Sequence, residues 1–250
     1  MNRPLQKLIA AATLTLLTIL NCGNAAGLPE KFDATYSLSV GPLALAEMTR
    51  KLYPKGDGSY VYESSSKAVG YAHWFTKSVL TERSEWRYEN QQLRPLIYSY
   101  DRSGDSKKER HLKLVFDWKN RRVTDATNKE PWKLVLTNGS QDKLLYQLAL
   151  VNDLQQGKRT KLEYNVVDDG TAKITTFEIV GEERIQTALG EFETLKLQTT
   201  GTRTTTLWCA KKLNYLPVLI EQHDERGSAL LKLINLSGIP IPIPVAANVP

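Results

Sequence analysis

The sequence predicts a mostly β protein: a curved antiparallel sheet, or an open or half β-barrel, with one amphipathic helix packed on it. Three observations predict this class. Apolar and polar residues alternate over many short runs, which is the period of a half-buried strand. Glycine, proline, asparagine and aspartate fall between those runs at hairpin spacing. One stretch, residues 141–155, switches to the three-and-four spacing of a helix face.

The elements follow in order. Phe32 to Val40 alternates, with Phe32, Ala34, Tyr36 and Leu38 on one side, until Gly41-Pro42 breaks it. Leu43 to Tyr53 and Tyr60 to Ser66 form a hairpin around Pro54-Lys55-Gly56-Asp57-Gly58, where glycine supplies positive φ and proline fixes the entry. Ser78 to Tyr88 and Arg94 to Tyr100 pair around Asn90-Gln91-Gln92, with Pro95 best placed at an edge or strand start. His111 to Phe116 turns at Asp117-Trp118-Lys119-Asn120 into Arg122 to Asp125, and Trp132 to Leu136 is a short strand. In the helix, Leu144, Leu145, Leu148, Val151 and Leu154 make one stripe. Ser140 is its expected N-cap, Asp142 lies in its first turn, and Gly157 ends it.

Strands then resume. Lys161 to Val167 and Lys173 to Val180 flank Asp168-Asp169-Gly170. Arg184 to Thr187 and Glu193 to Thr199 flank Ala188-Leu189-Gly190, and Arg203 to Cys209 follows. Leu216 to His223 and Ala229 to Leu236 flank Asp224-Glu225-Arg226-Gly227. The total is about a dozen strands, with no repeat of the kind that builds a propeller.

The ends set the expected compartment. Arg3 and Lys7 precede an uncharged apolar run from Leu8 to Leu20, and small or polar residues follow to Gly27. That is the layout of a secretory signal peptide, and the run is shorter than the ~20 residues of a spanning helix. Residues 1–25 are therefore read as a signal peptide, with cleavage before Ala26 and release into the periplasm. The alternative is a lipoprotein anchored through Cys22, although Asn21 departs from the small residue that a lipobox places before its cysteine. No transmembrane span is expected in the mature chain. Residues 26–237 are read as a single β domain, and 238–250 as a proline-rich tail. That tail, Ile239-Pro240-Ile241-Pro242-Ile243-Pro244, favours extended geometry and is either a loose extension or a segment laid into a groove.

The formal charge of +6 includes Arg3 and Lys7, so the mature chain is only mildly basic. Its cations are spread along the sequence and no recognition module accompanies them, which argues against a nucleic acid partner. Cys209 is the one cysteine left after soluble processing, so the fold depends on its core, which about 225 residues suffice to build.

A series of short motifs carries a family resemblance. It runs Gly58-Ser59-Tyr60, Leu93-Arg94-Pro95, Phe116-Asp117-Trp118, then Gln141-Asp142-Lys143-Leu144-Leu145 with Leu148. It continues through Gly181-Glu182-Glu183, Thr187-Ala188-Leu189-Gly190-Glu191-Phe192-Glu193-Thr194-Leu195-Lys196, Thr206-Leu207-Trp208 and Leu216-Pro217-Val218. In this order the motifs resemble the DUF3108 family of exported bacterial proteins, over most of residues 30 to 237. More distantly, Trp208 followed by Leu216-Pro217-Val218 and an Asp-to-Gly turn is similar to the late strands of LolA/LolB-type lipoprotein carriers. That likeness implies a curved sheet around an apolar cavity for lipid. Neither resemblance supplies catalytic residues, and likeness of fold does not establish function.

No catalytic or metal-binding motif emerges from the residues. His73, His111 and His223 lie far apart, without a ligand partner at short spacing, and read as surface residues. No Gly-x-Ser-x-Gly elbow, Ser-x-x-Lys pair or phosphate-binding glycine loop is present. Cys209 reads as a small buried hydrophobe rather than a reactive thiol. No cofactor and no metal are expected, and the chain is not expected to be an enzyme. Val69-Gly70-Tyr71-Ala72-His73-Trp74-Phe75 packs three aromatics into five residues. It reads either as a core strand or as a loop holding Tyr71, Trp74 and Phe75 at a cavity mouth or membrane interface. Lys107-Lys108-Glu109-Arg110 and Lys119-Asn120-Arg121-Arg122 are basic turns, either solvated or in contact with anionic lipid.

The expected function is a non-catalytic binding module for a lipid, acyl chain or other apolar ligand in the cell envelope. Tyr71, Trp74, Phe75, Leu144, Leu145, Leu148, Val151 and Trp208 are the candidate ligand residues, the helix leucines lining or plugging the cleft. The alternative is an envelope assembly factor working by contact with a protein partner. A hydrolase of envelope polymers has the least support.

Overall fold

The computed structural model describes residues 27–74, 76–104, 109–127, 132–168, 170–200, 204–225 and 227–241. The expected signal peptide, Cys22, Phe75, the Lys107-Lys108 pair and the tail beyond Ile241 lie outside these residues.

Alternation dictates the strands. They are β1 (Phe32–Val40), β2 (Leu43–Pro54), β3 (Tyr60–Ala68), β4 (Val79–Glu89), β5 (Gln92–Ser103), β6 (Arg110–Asp117), β7 (Arg122–Asp125) and β8 (Lys133–Val135). Then come β9 (Ser140–Asp142), helix α1 (Leu145–Gln155), β10 (Leu162–Asp168), β11 (Thr171–Thr187), β12 (Gly190–Thr199), β13 (Thr204–Ala210), β14 (Leu216–Asp224) and β15 (Gly227–Ser237). A five-residue 3-10 helix, Gly70–Trp74, links β3 to β4.

All fifteen strands form one curved sheet in the order β8-β7-β6-β5-β4-β3-β2-β1-β15-β14-β13-β12-β11-β10-β9. The first and last strands pair antiparallel at its centre, Ala34 opposite Leu236 and Leu38 opposite Leu231. Every ladder is antiparallel except β9–β10. Each half is thus a meander running outward from the β1–β15 seam. Tyr36 Oη also donates to the Pro217 carbonyl at 2.9 Å, tying β1 to β14.

The sheet is a barrel left open. Its two edges, β8 and β9, are consecutive in sequence, yet β9 pairs only with β10 among the described residues. It curls far enough for the β9 edge to meet the other half: Gln141 Nε2 donates to the Leu93 carbonyl at 2.7 Å and Ser84 Oγ donates to Asp142 Oδ2 at 2.5 Å.

Helix α1 fills the interior. Leu145, Leu148, Leu150, Val151 and Leu154 are buried, together with Ala149 and Asn152, and no residue from Leu144 to Gln155 is fully exposed. The expected single stripe therefore understates the helix, which is apolar around most of its circumference and is enclosed rather than laid on the sheet. It also begins later than expected. Ser140 is not its cap but a buried residue of β9. Asp142 supplies the oxygen instead, Oδ1 accepting from the Leu145 and Leu144 amides at 2.7 and 2.9 Å. Short polar residues that can hold a turn are also those that can start a helix, so the sequence signal was ambiguous.

Two further departures have local causes. β11 is one strand of 17 residues, because a bulge at Ile179–Gly181 absorbs the irregularity that reads as a break. Packing also continues past 237, with Ile239 buried and Ile241 lying against the core. Gly238 makes that turn at φ +82, where an added Cβ would sit 2.6 Å from the Lys31 carbonyl oxygen.

Candidate functional site

Alternation places a layered set of side chains on the concave face of β2 to β5. The deepest row runs Leu52, Tyr62, Ser84, Tyr98 in cross-strand register. The next is Arg50, Ser64, Glu82, Tyr100, and the outermost is Met48, Ser66, Leu80, Arg102, with Ala46 opposite Ala68 beyond it.

The middle row is polar within the barrel. Arg50 is only 7% exposed, and its guanidinium lies over the Tyr36 ring at 5.6 Å. Burial opposes its charge, but Tyr62, Tyr36 and Glu82 around it more than offset that and raise its pKa. Arg50 Nε finds no hydrogen-bond partner among the described residues. Tyr98 Oη donates to Glu82 Oε1 at 2.6 Å, and burial first, then Glu82, pushes the phenol pKa up. Below this row, burial pushes the Asp142 carboxyl up to about 6, against the hydrogen bonds from Ser84 and the helix amides that favour its charged form. These contacts give most buried polar groups a partner, as interior polar groups require.

Above the polar row the barrel opens. Ala46, Ser66, Ala68 and Leu80 form the apolar and small-residue wall of a groove of about 420 Å³, with Arg102 on one side and Ala72 of the 3-10 helix across its mouth. A hollow of about 500 Å³ lies on the other side of the 3-10 helix, between Glu47, Lys67, His73 and Lys77. Its walls carry charged outward-facing residues. A third, of about 410 Å³, sits at the β14–β15 turn by His223 and Asp224, and a fourth, of about 110 Å³, lies at the opposite end by Asn152 and Tyr164. The inner groove continues the concave face of β2 to β5.

The sequence-derived candidates separate into three places. Tyr71 and Trp74 stand together on the 3-10 helix, 88% and 87% exposed, so this segment is a rim loop and not a core strand. Leu144, Leu145, Leu148 and Val151 are buried in the core beneath the polar row and do not line the groove. Trp208 lies on the face of β13 opposite Leu207 and Cys209, where Lys196 sits over its ring at 4.9 Å and its indole donates to Glu183 at 2.8 Å. It is an outer-face residue, remote from the groove. His111 contacts Asp101 at 2.6 Å, His223 contacts Ser228 at 2.9 Å, and all three histidines are exposed. Cys209 is fully buried, which raises its thiol pKa.

The polar row and the groove were absent from the sequence-derived set. Their signal was available: Met48, Arg50 and Leu52 share one face of their strand, and so do Leu80, Glu82, Ser84 and Trp86. Only the pairing of four strands shows that Arg50 and Glu82 belong to one row.

The family model described as a protein of unknown function, DUF3108, matches residues 31–234. The chain belongs to the DUF3108 family. No curated protein matches it. This DUF3108 chain is similar to the solved structure of a β-barrel-like protein of the domain of unknown function DUF1849 from Brucella abortus. The identity is 10% and the TM-score 0.54, over 85% of this chain and 98% of that one. At such identity the likeness is one of fold. A structure named as a putative lipoprotein from Parabacteroides distasonis aligns at 9% identity and a TM-score of 0.36, over 84% of this chain and 98% of that one. Among the described residues no helix is long and apolar enough to cross a membrane.

Proposed function

We propose that this DUF3108 protein is an exported, non-catalytic binding module that takes an acyl chain or similar apolar group into the inner groove. The observation that carries this reading is the groove itself: small residues and Leu80 line open space on the concave face, while α1 fills the rest of the barrel. Sites for small ligands are concave, mostly apolar, and carry a few placed polar groups. Arg102 provides such a group at the wall, suited to an anionic head. The volume fits a short stretch of acyl chain, so the remainder of the ligand would extend past the rim. The periplasm is the compartment proposed, from the signal-peptide layout of residues 1–25.

Native mass spectrometry of the processed protein, purified without detergent, tests this reading. The expected result is a population carrying the mass of an acyl-bearing lipid, and Ala68→Trp, which fills the groove, removes it at unchanged melting temperature. Bare protein that also fails to bind a fluorescent fatty acid would rule the reading out.

A further inference from the structure

We propose that the groove end of the barrel docks on an anionic lipid bilayer through the 3-10 helix and the neighbouring β1–β2 turn. The Val69 amide donates to the Leu45 carbonyl at 3.0 Å, which seats the 3-10 helix beside the start of β2. Four large apolar side chains therefore project from one end of the molecule: Val40 and Leu43 from the turn, Tyr71 and Trp74 from the helix. Among the described residues the other exposed large apolar side chains are Val79 at the start of β4, beside the hollow, and Val135, Ile174 and Val180 on β8 and β11. A cluster of this kind marks an interaction site rather than ordinary surface.

The chemistry selects a bilayer. Tyrosine and tryptophan carry an apolar ring and a polar tip and suit the boundary between water and hydrocarbon. Both stand almost free of the protein on a single turn. A fluid lipid surface can take up such side chains without a matching contour on the protein. The charge agrees. Lys67 and Lys77 are exposed beside the cluster, and neither forms an ion pair among the described residues, where the paired lysines are Lys51, Lys55, Lys143, Lys158, Lys196 and Lys211. Against Glu47, which faces Lys67 across the β2–β3 ladder, they leave the hollow beside the 3-10 helix net positive, while Asp224 lies near Val40 at the β14–β15 turn. Long lysine stems can lie along apolar surface while their ammonium groups reach lipid phosphates.

Docking in this pose brings the groove mouth against the bilayer. It rests on other apolar side chains than ligand uptake does: Val40, Leu43, Tyr71 and Trp74 do not line the groove, and Lys67 is the one docking residue that does.

Vesicle co-sedimentation tests it, using the processed full chain and its variants in the same background. The probes are phosphatidylcholine vesicles with and without phosphatidylglycerol. Wild type should bind the anionic vesicles more strongly and be released by added salt. The double variant Tyr71→Ser/Trp74→Ser should lower binding by at least about tenfold. Lys67→Gln/Lys77→Gln should lower binding to anionic vesicles on the order of tenfold and leave neutral vesicles unaffected. Ala68→Trp should leave vesicle binding intact, which separates this inference from the groove reading. Equal binding by wild type and both double variants would overturn it. So would sedimentation velocity showing a wild-type dimer that Tyr71→Ser/Trp74→Ser dissociates, which would assign the patch to a second copy of the chain.

Discussion

Asp142 joins three elements: it accepts from Ser84 on β4, ends β9, and holds the amides at the start of α1. Its folded pKa of about 6 stands above its ordinary 3.8, with burial the largest cause. A carboxyl raised in this way contributes stability that is fully present below its unfolded value and is lost as pH rises through the folded one. The groups lowered by hydrogen bonds, Asp57, Glu85, Asp117 and Glu183, act in the opposite sense and lose their contribution only below the usual carboxylate range. Acidification from about pH 7.5 to about pH 5 should therefore stabilise the protein by on the order of 1 kcal/mol. Asp142→Asn, which keeps an acceptor for the helix amides, should abolish that gain. Urea melts at the two pH values check it, and a gain that persists in Asp142→Asn would place the titrating group elsewhere. Asp142→Ala should cost more, roughly 2–4 kcal/mol, because it leaves Ser84 and two amides without their acceptor.

Helix α1 behaves as the stopper of the barrel, and its leucines are core residues. Leu154→Ala should therefore cost roughly 2–5 kcal/mol in chemical denaturation, as for a cavity in a packed interior. Leu43→Ala, at an exposed position, should stay within about 0.5 kcal/mol. Comparable costs for the two would mean that the helix is a loose cover. At the C-terminal end Gly238→Ala should lose roughly 1–3 kcal/mol, since a side chain there is strained at positive φ and meets the Lys31 and Phe32 backbone. Elements of this kind were unevenly legible in the sequence. Phe32–Val40 and Arg122–Asp125 agree with alternation residue for residue, because each has one buried face. β9 was hidden, since three polar residues that become buried carry no period. The long β11 reads as two strands because a bulge interrupts its rhythm without interrupting its pairing.

At the scale of the molecule, the seam between β1 and β15 makes the fold depend on contacts between the two chain ends. Each half is local, and the pairing that joins them is not. Sequence periodicity states which residues face inward but not which strands are neighbours, so it delivered an open barrel with a helix and could not assemble Arg50, Ser64, Glu82 and Tyr100 into a row. For the same reason periodicity left open whether the helix leucines line the cleft or plug it, and burial of the helix within the barrel places them in the core. The groove was unreadable in sequence because alanine and serine leave space only when a particular set of strands surrounds them.

An apolar ligand that enters at the rim, as proposed, leaves the interior closed by α1. Methyl NMR of the processed protein, titrated with a medium-chain fatty acid, tests this directly. Saturable shifts are expected at the methyls of Ala46, Ala68, Ala72 and Leu80, with Leu145, Leu148 and Leu150 unmoved. Shifts centred on the helix leucines, or none at the rim, would contradict it.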